Sequence, residues 1–159
     1  MNKIVNVGLI FKNRVGIVSQ VSKRVFDNGG NITQSDMIKI GNHFAFDLTA
    51  TFPNNYNKDI FGNIDKGLPL NQSDDTYKSK IKFYSSDNPG IIHSTCEKLE
   101  SLNADIVSLK SSVTPAPFSS GPLFSLTVEF SIDRNISKEV IKERMETVAN
   151  NYCCEIDIE

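Results

Sequence analysis

The sequence predicts an α+β fold made of two copies of one unit. Each copy runs strand-helix-strand-strand-helix-strand, with an antiparallel sheet and its helices on one face. Three observations predict it. Asn13-Arg14-Val15-Gly16-Ile17-Val18 and Asp87-Asn88-Pro89-Gly90-Ile91-Ile92 are near-copies 74 positions apart, and the same offset carries Asn31-Ile32 onto Asp105-Ile106 and Val25 onto Leu99. A register shared over several elements marks a structural repeat. The apolar spacing also changes from alternate residues to helical spacing and back in the same order in both halves. Finally, 159 residues divide into units at 1–72 and 76–159, joined by the polar stretch Asn71-Gln72-Ser73-Asp74-Asp75. Units this small sit near the lower limit for an independent core, so they are expected to pack together or dimerise.

Residues 3–11 alternate as a strand with Val5, Val7 and Leu9 on one face. Gly16 opens a helix whose stripe is Ile17, Val18, Val21 and Val25, and Asn28-Gly29-Gly30 ends it, glycine being favoured in a left-handed cap. Ile32 to Ile40 is the second strand, Gly41-Asn42 a tight hairpin, and Phe44, Phe46, Leu48, Ala50 and Phe52 the inward face of the third. A short helix at about 56–66, carrying Ile60, Phe61 and Ile64, and a last strand at Leu68 and Leu70 would complete the unit. The second half repeats the order. Residues 77–84 place Ile81 and Phe83 inward and Lys78, Lys80 and Lys82 outward. Gly90 opens a helix bearing Ile91, Ile92, Cys96, Leu99 and Leu102, and a strand covers about 105–113. Phe124, Leu126, Val128, Phe130 and Ile132 alternate as in the first half, offset by 80, the extra residues falling in the Pro/Ser/Gly-rich segment 114–122. Ser137 caps a helix over about 138–150 with Val140, Ile141 and Val148, and Cys154, Ile156 and Ile158 close the last strand. This is the ferredoxin-like order.

Composition narrows the function. The first 72 residues carry a net charge of +3 and the remainder −5, so neither half has the basic footprint of a nucleic-acid binder. No run of about 18 apolar residues predicts a membrane span, and the first residues lack a signal-peptide pattern. Three cysteines without a spaced framework suggest a reducing compartment, so a cytoplasmic protein is expected.

Chemistry concentrates in the loop before the first helix of each half. Helix-opening amides have no internal partners and lie at the positive end of the dipole, which suits a carboxylate or phosphate. Glycine there lets a ligand approach the backbone. Asn13 and Asp87, three residues upstream, would accept from an ammonium, so the pair of groups suits an amino acid. The alternative is structural: glycine permits the strand-to-helix turn and Asn13 and Asp87 cap the helices.

These residues resemble a known family. Asn13-Arg14-Val15-Gly16-Ile17-Val18 is similar to the Asp-Arg-Pro-Gly-Ile-Val signature of ACT domains, Asp87-Asn88-Pro89-Gly90-Ile91-Ile92 is a second match, and Gly30-Asn31-Ile32 resembles the family's Gly-x-Asn-Ile. The segment Pro115 to Phe124 resembles one in tandem ACT proteins related to the glycine cleavage system transcriptional repressor. The resemblance covers nearly the whole chain. It implies a regulatory module holding a small amino acid, such as glycine or serine, where the loop of one unit meets the second strand of another. The matching positions are Asn13, Gly16, Ile17, Val18, Asn31 and Ile32, then Asp87, Gly90, Ile91, Ile92, Asp105 and Ile106. The first copy departs with Asn13 for Asp and Val15 for Pro, and the second with Asn88 for Arg; retained charge and a rigid turn favour the second.

Other constellations are weaker. His43 and His93 lie on different elements and suggest no metal, and no cofactor is expected. Cys153 and Cys154 adjoin in a strand, so one should face the core and one the surface. Ser119 and Ser120 lack a nucleophile-elbow pattern. Gly8 would mark a bulge or a close backbone approach. Two other classes share the strand-helix order. An RNA-binding module would need aromatics on an open sheet face, and an acylphosphatase-type enzyme would use Arg14 beside Asn13 and Asn31 as a phosphate cradle. The leading expectation is a non-enzymatic regulator of glycine cleavage or other amino-acid metabolism. It would form a homodimer to cover edge strands and act through a protein partner, without direct contact with nucleic acid or membrane.

Overall fold

In the computed structural model, which describes residues 2–62, 64, 74–86, 90–115, 122–152 and 154–159, the two halves share one sheet. The elements are β1 (Asn2–Lys12), α1 (Ile17–Asp27), β2 (Asn31–Ile40), β3 (His43–Pro53), β4 (Thr76–Ser86), α2 (Ile91–Ser101), β5 (Asp105–Pro115), β6 (Pro122–Asp133), α3 (Lys138–Tyr152) and β7 (Glu155–Ile158). The strand order is β1-β3-β2-β5-β6-β4-β7, and every neighbouring pair is antiparallel. The halves are joined where β2 pairs with β5, from Gln34 opposite Ser112 to Ile38 opposite Ser108. At its middle Asp36 pairs with Lys110, its own counterpart in the repeat. The join therefore lies on a local pseudo-twofold axis.

Alternation gives this sheet one apolar face from edge to edge. Phe44, Phe46, Leu48, Ala50 and Phe52 on β3 meet Met37 on β2, then Leu109 on β5, Leu126, Val128 and Phe130 on β6, and Ile81 and Phe83 on β4. The helices cover that face with Val18, Val21, Val25, Cys96, Leu99, Met145 and Val148, in a single core. Burial pushes the Cys96 thiol up, keeping it neutral, which suits a core filler. The opposite face is mostly polar in the second half, where Tyr84 and Leu123 are exposed, and in the first half it displays Ile4, Ile10, Ile38 and Ile40.

Both repeated helices stop in the same way. Gly29, at φ 76°, ends α1 with Gly30 N–H donating to the Val25 carbonyl at 2.9 Å. Asn103, at φ 56°, ends α2 with Ala104 N–H donating to the Leu99 carbonyl at 3.1 Å. This is the closure in which one residue turns left-handed, tolerated best by glycine and next by asparagine. Ser137 caps α3 through its hydroxyl to Val140 N–H at 3.3 Å, as expected. Val140 itself faces solvent, and Ile141, Met145, Val148 and Ala149 form the buried stripe.

The expected helix at 56–66 does not form among the described residues: 56–57 have no regular structure, and 58–62 and 64 are turns. Its apolar spacing serves another purpose, with Ile60 and Ile64 buried against the sheet. The carbonyls that helix amides would take are taken by arginines. Arg24 Nη1 donates to the Ile60 and Gly62 carbonyls at 2.7 and 2.8 Å, and Arg14 Nη2 donates to Ile64. The expected strand at Leu68 and Leu70, most of the linker, the tip of the 114–122 segment including Ser119 and Ser120, and Cys153 lie outside the described residues. Gly8 is neither a bulge nor a close approach, since its pairing with β3 is regular and a Cβ there would meet nothing within 4 Å.

Candidate functional site

Gly16 and Gly90 start α1 and α2 in the left-handed region, at φ 91° and 89°, where an L side chain is strained. Glycine at these positions brings no side-chain cap of its own. Asn13 is engaged elsewhere than at the start of α1. Asn13 N–H donates to the Asn42 carbonyl at 2.8 Å, fixing the loop, and its side chain reaches across the join. Nδ2 donates to Asp105 Oδ1 at 2.9 Å, while Lys39 Nζ lies 2.5 Å from Asp105 Oδ2. Asp105 is only 4% exposed, and both its oxygens are engaged from the first half.

This contact belongs to a pocket built from both halves. Asn13, Gly16, Ile17 and Val18 form one wall; Ala104, Ile106 and Glu100 form the other. The cavity left is about 10 Å³, the volume of a single water at most. Glu100 fills much of the space. A Cβ on Gly16 would stand 3.3 Å from Glu100 Oε2 and 3.4 Å from Oε1. Burial raises the Glu100 carboxyl above the ordinary range, while hydrogen bonds from the Ser19 hydroxyl and the Ser19 backbone amide pull it down and Glu97 pushes it up.

The pseudo-equivalent pocket joins Gly90, Ile91 and Ile92 to Gly30, Asn31 and Ile32. Its cavity is about 20 Å³. Phe26 occupies the position that Glu100 holds in the first pocket, for the two are counterparts 74 positions apart. A Cβ on Gly90 would stand 3.1 Å from the Phe26 ring and 3.2 Å from the Tyr152 hydroxyl, which is 2.9 Å from Ser94 Oγ. Between the pockets the helices meet at Ser19 and His93, also counterparts, with His93 Nδ1 3.3 Å from the Ser19 carbonyl oxygen. Asp87, Asn88 and Pro89 lie outside the described residues.

The expected residues other than Asp87 thus assemble as two groups, each drawn from both halves. Those not foreseen are Glu100, Phe26, Lys39, Ser19 and Tyr152. The repeat offset was the available signal for the first two, since it pairs an apolar residue with a charged one in otherwise matching helices. Among the described residues no group of three or more His, Cys, Asp or Glu side chains is placed to hold a metal, and no helix is long and apolar enough to cross a membrane.

Solved structures share this architecture. An unknown protein from Galdieria sulphuraria superposes over 100% of this chain and 98% of its own, with a TM-score of 0.51 and 22% identity. Aspartate kinase from Synechocystis superposes over 98% of this chain and 28% of its own, with a TM-score of 0.64 and 15% identity. The fold is ACT-like. The chain corresponds to little more than a quarter of the aspartate kinase, and at these identities the likeness to both structures is one of fold alone. No family model and no curated protein matches the chain.

Proposed function

We propose that this chain is a non-enzymatic regulatory module. In this reading it is a tandem ACT protein, related to the glycine cleavage system transcriptional repressor, with units at 1–72 and 76–159. It senses a small amino acid such as glycine or serine at the join and passes the signal to a protein partner. One observation carries the reading: the helix-opening glycine of each half stands against the second strand of the other half, so each pocket is completed only when the halves pair. A ligand there would bridge both halves, and its binding would change how firmly they hold together.

The competing classes fit less well. The Arg14 guanidinium is buried and donates to the Ile64 carbonyl, so it is committed to the fold rather than turned outward as a phosphate cradle. Phe44, Phe46, Phe124 and Phe130 are all beneath the helices, and an RNA-stacking platform needs such rings on the open face.

A thermal-shift screen of the twenty amino acids, followed by calorimetry, tests the reading, because a ligand bound only by the folded state raises Tm. Asp87→Ala is expected to weaken binding about 10- to 100-fold, the loss of a charge-assisted hydrogen bond worth about 1.5–3 kcal/mol. Asn13→Ala should lower stability more than affinity, because Asn13 is engaged by Asp105. No heat with any amino acid at millimolar concentration would leave the chain an interaction module.

A further inference from the structure

The two pockets are not equivalent, and the difference lies in one pair of counterparts. Where the second pocket has Phe26, the first has Glu100. The Glu100 side chain comes from the last turn of α2 and points at the first turn of α1. Its oxygens lie against Gly16, and Ser19 of the first turn of α1 is close enough to lower its pKa. Oε1 is buried and has no hydrogen-bond partner among the described residues, so it has been brought into the pocket rather than left in water. A carboxylate aimed at the free amides and positive dipole end of a helix is what an amino-acid ligand would present there.

We infer that Glu100 is a built-in occupant of the first pocket: its carboxylate takes the position a ligand carboxylate would take, so each chain accepts one ligand, at the Gly90 pocket. The stoichiometry rests on the binding reading above; the occupancy by Glu100 does not. Phe26 has no charge to offer the α2 amides, and at 45% exposed it covers the Gly90 pocket without being locked into the core. An incoming carboxylate would displace a half-exposed ring there. At the first pocket it would have to expel the Glu100 carboxyl group, which already fills the space against Gly16.

The test uses the full chain, with acetate as the probe and chloride as the ionic control. Glu100→Ala empties the cradle, so acetate should raise its Tm by several degrees more than that of the wild type, with saturation, while Glu100→Gln, which refills the space, should behave like the wild type. Equal shifts in all three proteins overturn the proposal. The wild type gives a second readout should Glu100→Ala not fold. The Ser19 amide resonance should move as the Glu100 carboxyl carbon titrates, and a Ser19 amide that stays still overturns the contact. Glycine and serine calorimetry separates the two readings. One site per chain in the wild type and two in Glu100→Ala supports both. Two sites in the wild type overturns the Glu100 proposal and keeps binding at the join. No heat in either protein, with acetate rescue intact, rejects amino-acid binding and leaves Glu100 as the occupant.

Discussion

Asn13 and Asp105, 92 residues apart, are joined by a 2.9 Å hydrogen bond between the β1–α1 loop and the first residue of β5. Lys39 holds the other Asp105 oxygen, so a buried carboxylate of the second half is neutralised entirely by the first. Asp105→Ala is expected to destabilise the protein by about 3–5 kcal/mol, because it strands a partly buried lysine and an amide together. Asp105→Asn, which keeps shape and one acceptor, should cost less. Urea denaturation of the two variants checks the order.

The glycines give a graded series. Gly30→Ala would press a Cβ to 2.6 Å from the Phe52 ring and 2.7 Å from Val25, and overpacking of that kind costs about 1–3 kcal/mol. Gly16→Ala and Gly90→Ala carry left-handed strain of about 1–2 kcal/mol each. Gly8→Ala, in open space on a regular strand, should not destabilise, and thermal melts of the four variants should fall in that order.

Stability should depend on pH through Glu100. Burial raises its carboxyl pKa in the folded state, and Glu97, which faces His93 at 3.1 Å, adds to the rise. The folded protein therefore holds this proton more tightly than the unfolded chain. The stabilisation is fully present below the ordinary carboxylate value of about 4.3 and is lost as pH rises through the raised one. Relative to the wild type, Glu100→Gln should gain in Tm between about pH 4 and pH 7. A difference that stays flat across that range would show the carboxyl to be unperturbed.

The open sheet face of the first half should bury against a second copy. Ile10 pairs with Ala45 and Ala45 with Ile38, giving an apolar row that reaches the edge strand β1, and Ile10 and Ile38 are 70% and 49% exposed. Among the described residues no strand pairs with the outer side of the 11-residue β1, and an edge beside such a row is what proteins normally cover. Sedimentation velocity should find a dimer that Ile10→Glu or Ile38→Glu converts to monomer. A wild type that stays monomeric at hundreds of micromolar rejects the interface.

The strands and the two repeated helices were legible in the sequence because their apolar residues recur at fixed spacing, and because Gly16 and Gly90 mark where the spacing changes. The turns at 58–62 and 64 were not legible. Ile60, Phe61 and Ile64 have helical spacing, but Arg14 and Arg24, distant in sequence, take the carbonyls. The candidate site was legible as two helix starts and two strands, each start meeting the strand of the other half. Which side chain filled which pocket was not, because Asn13 and Glu100 find their partners only after β2 and β5 pair.

That pairing also has a consequence for descent. In a symmetric pair of single units, the two pockets are one gene read twice, and any substitution alters both. Joining the units in one chain removes that bond between them. Phe26 and Glu100 can then differ at the same structural position, and each pocket is free to take its own role. It also frees the association from protein concentration, because each unit meets its neighbour at a local concentration fixed by the linker rather than by expression level.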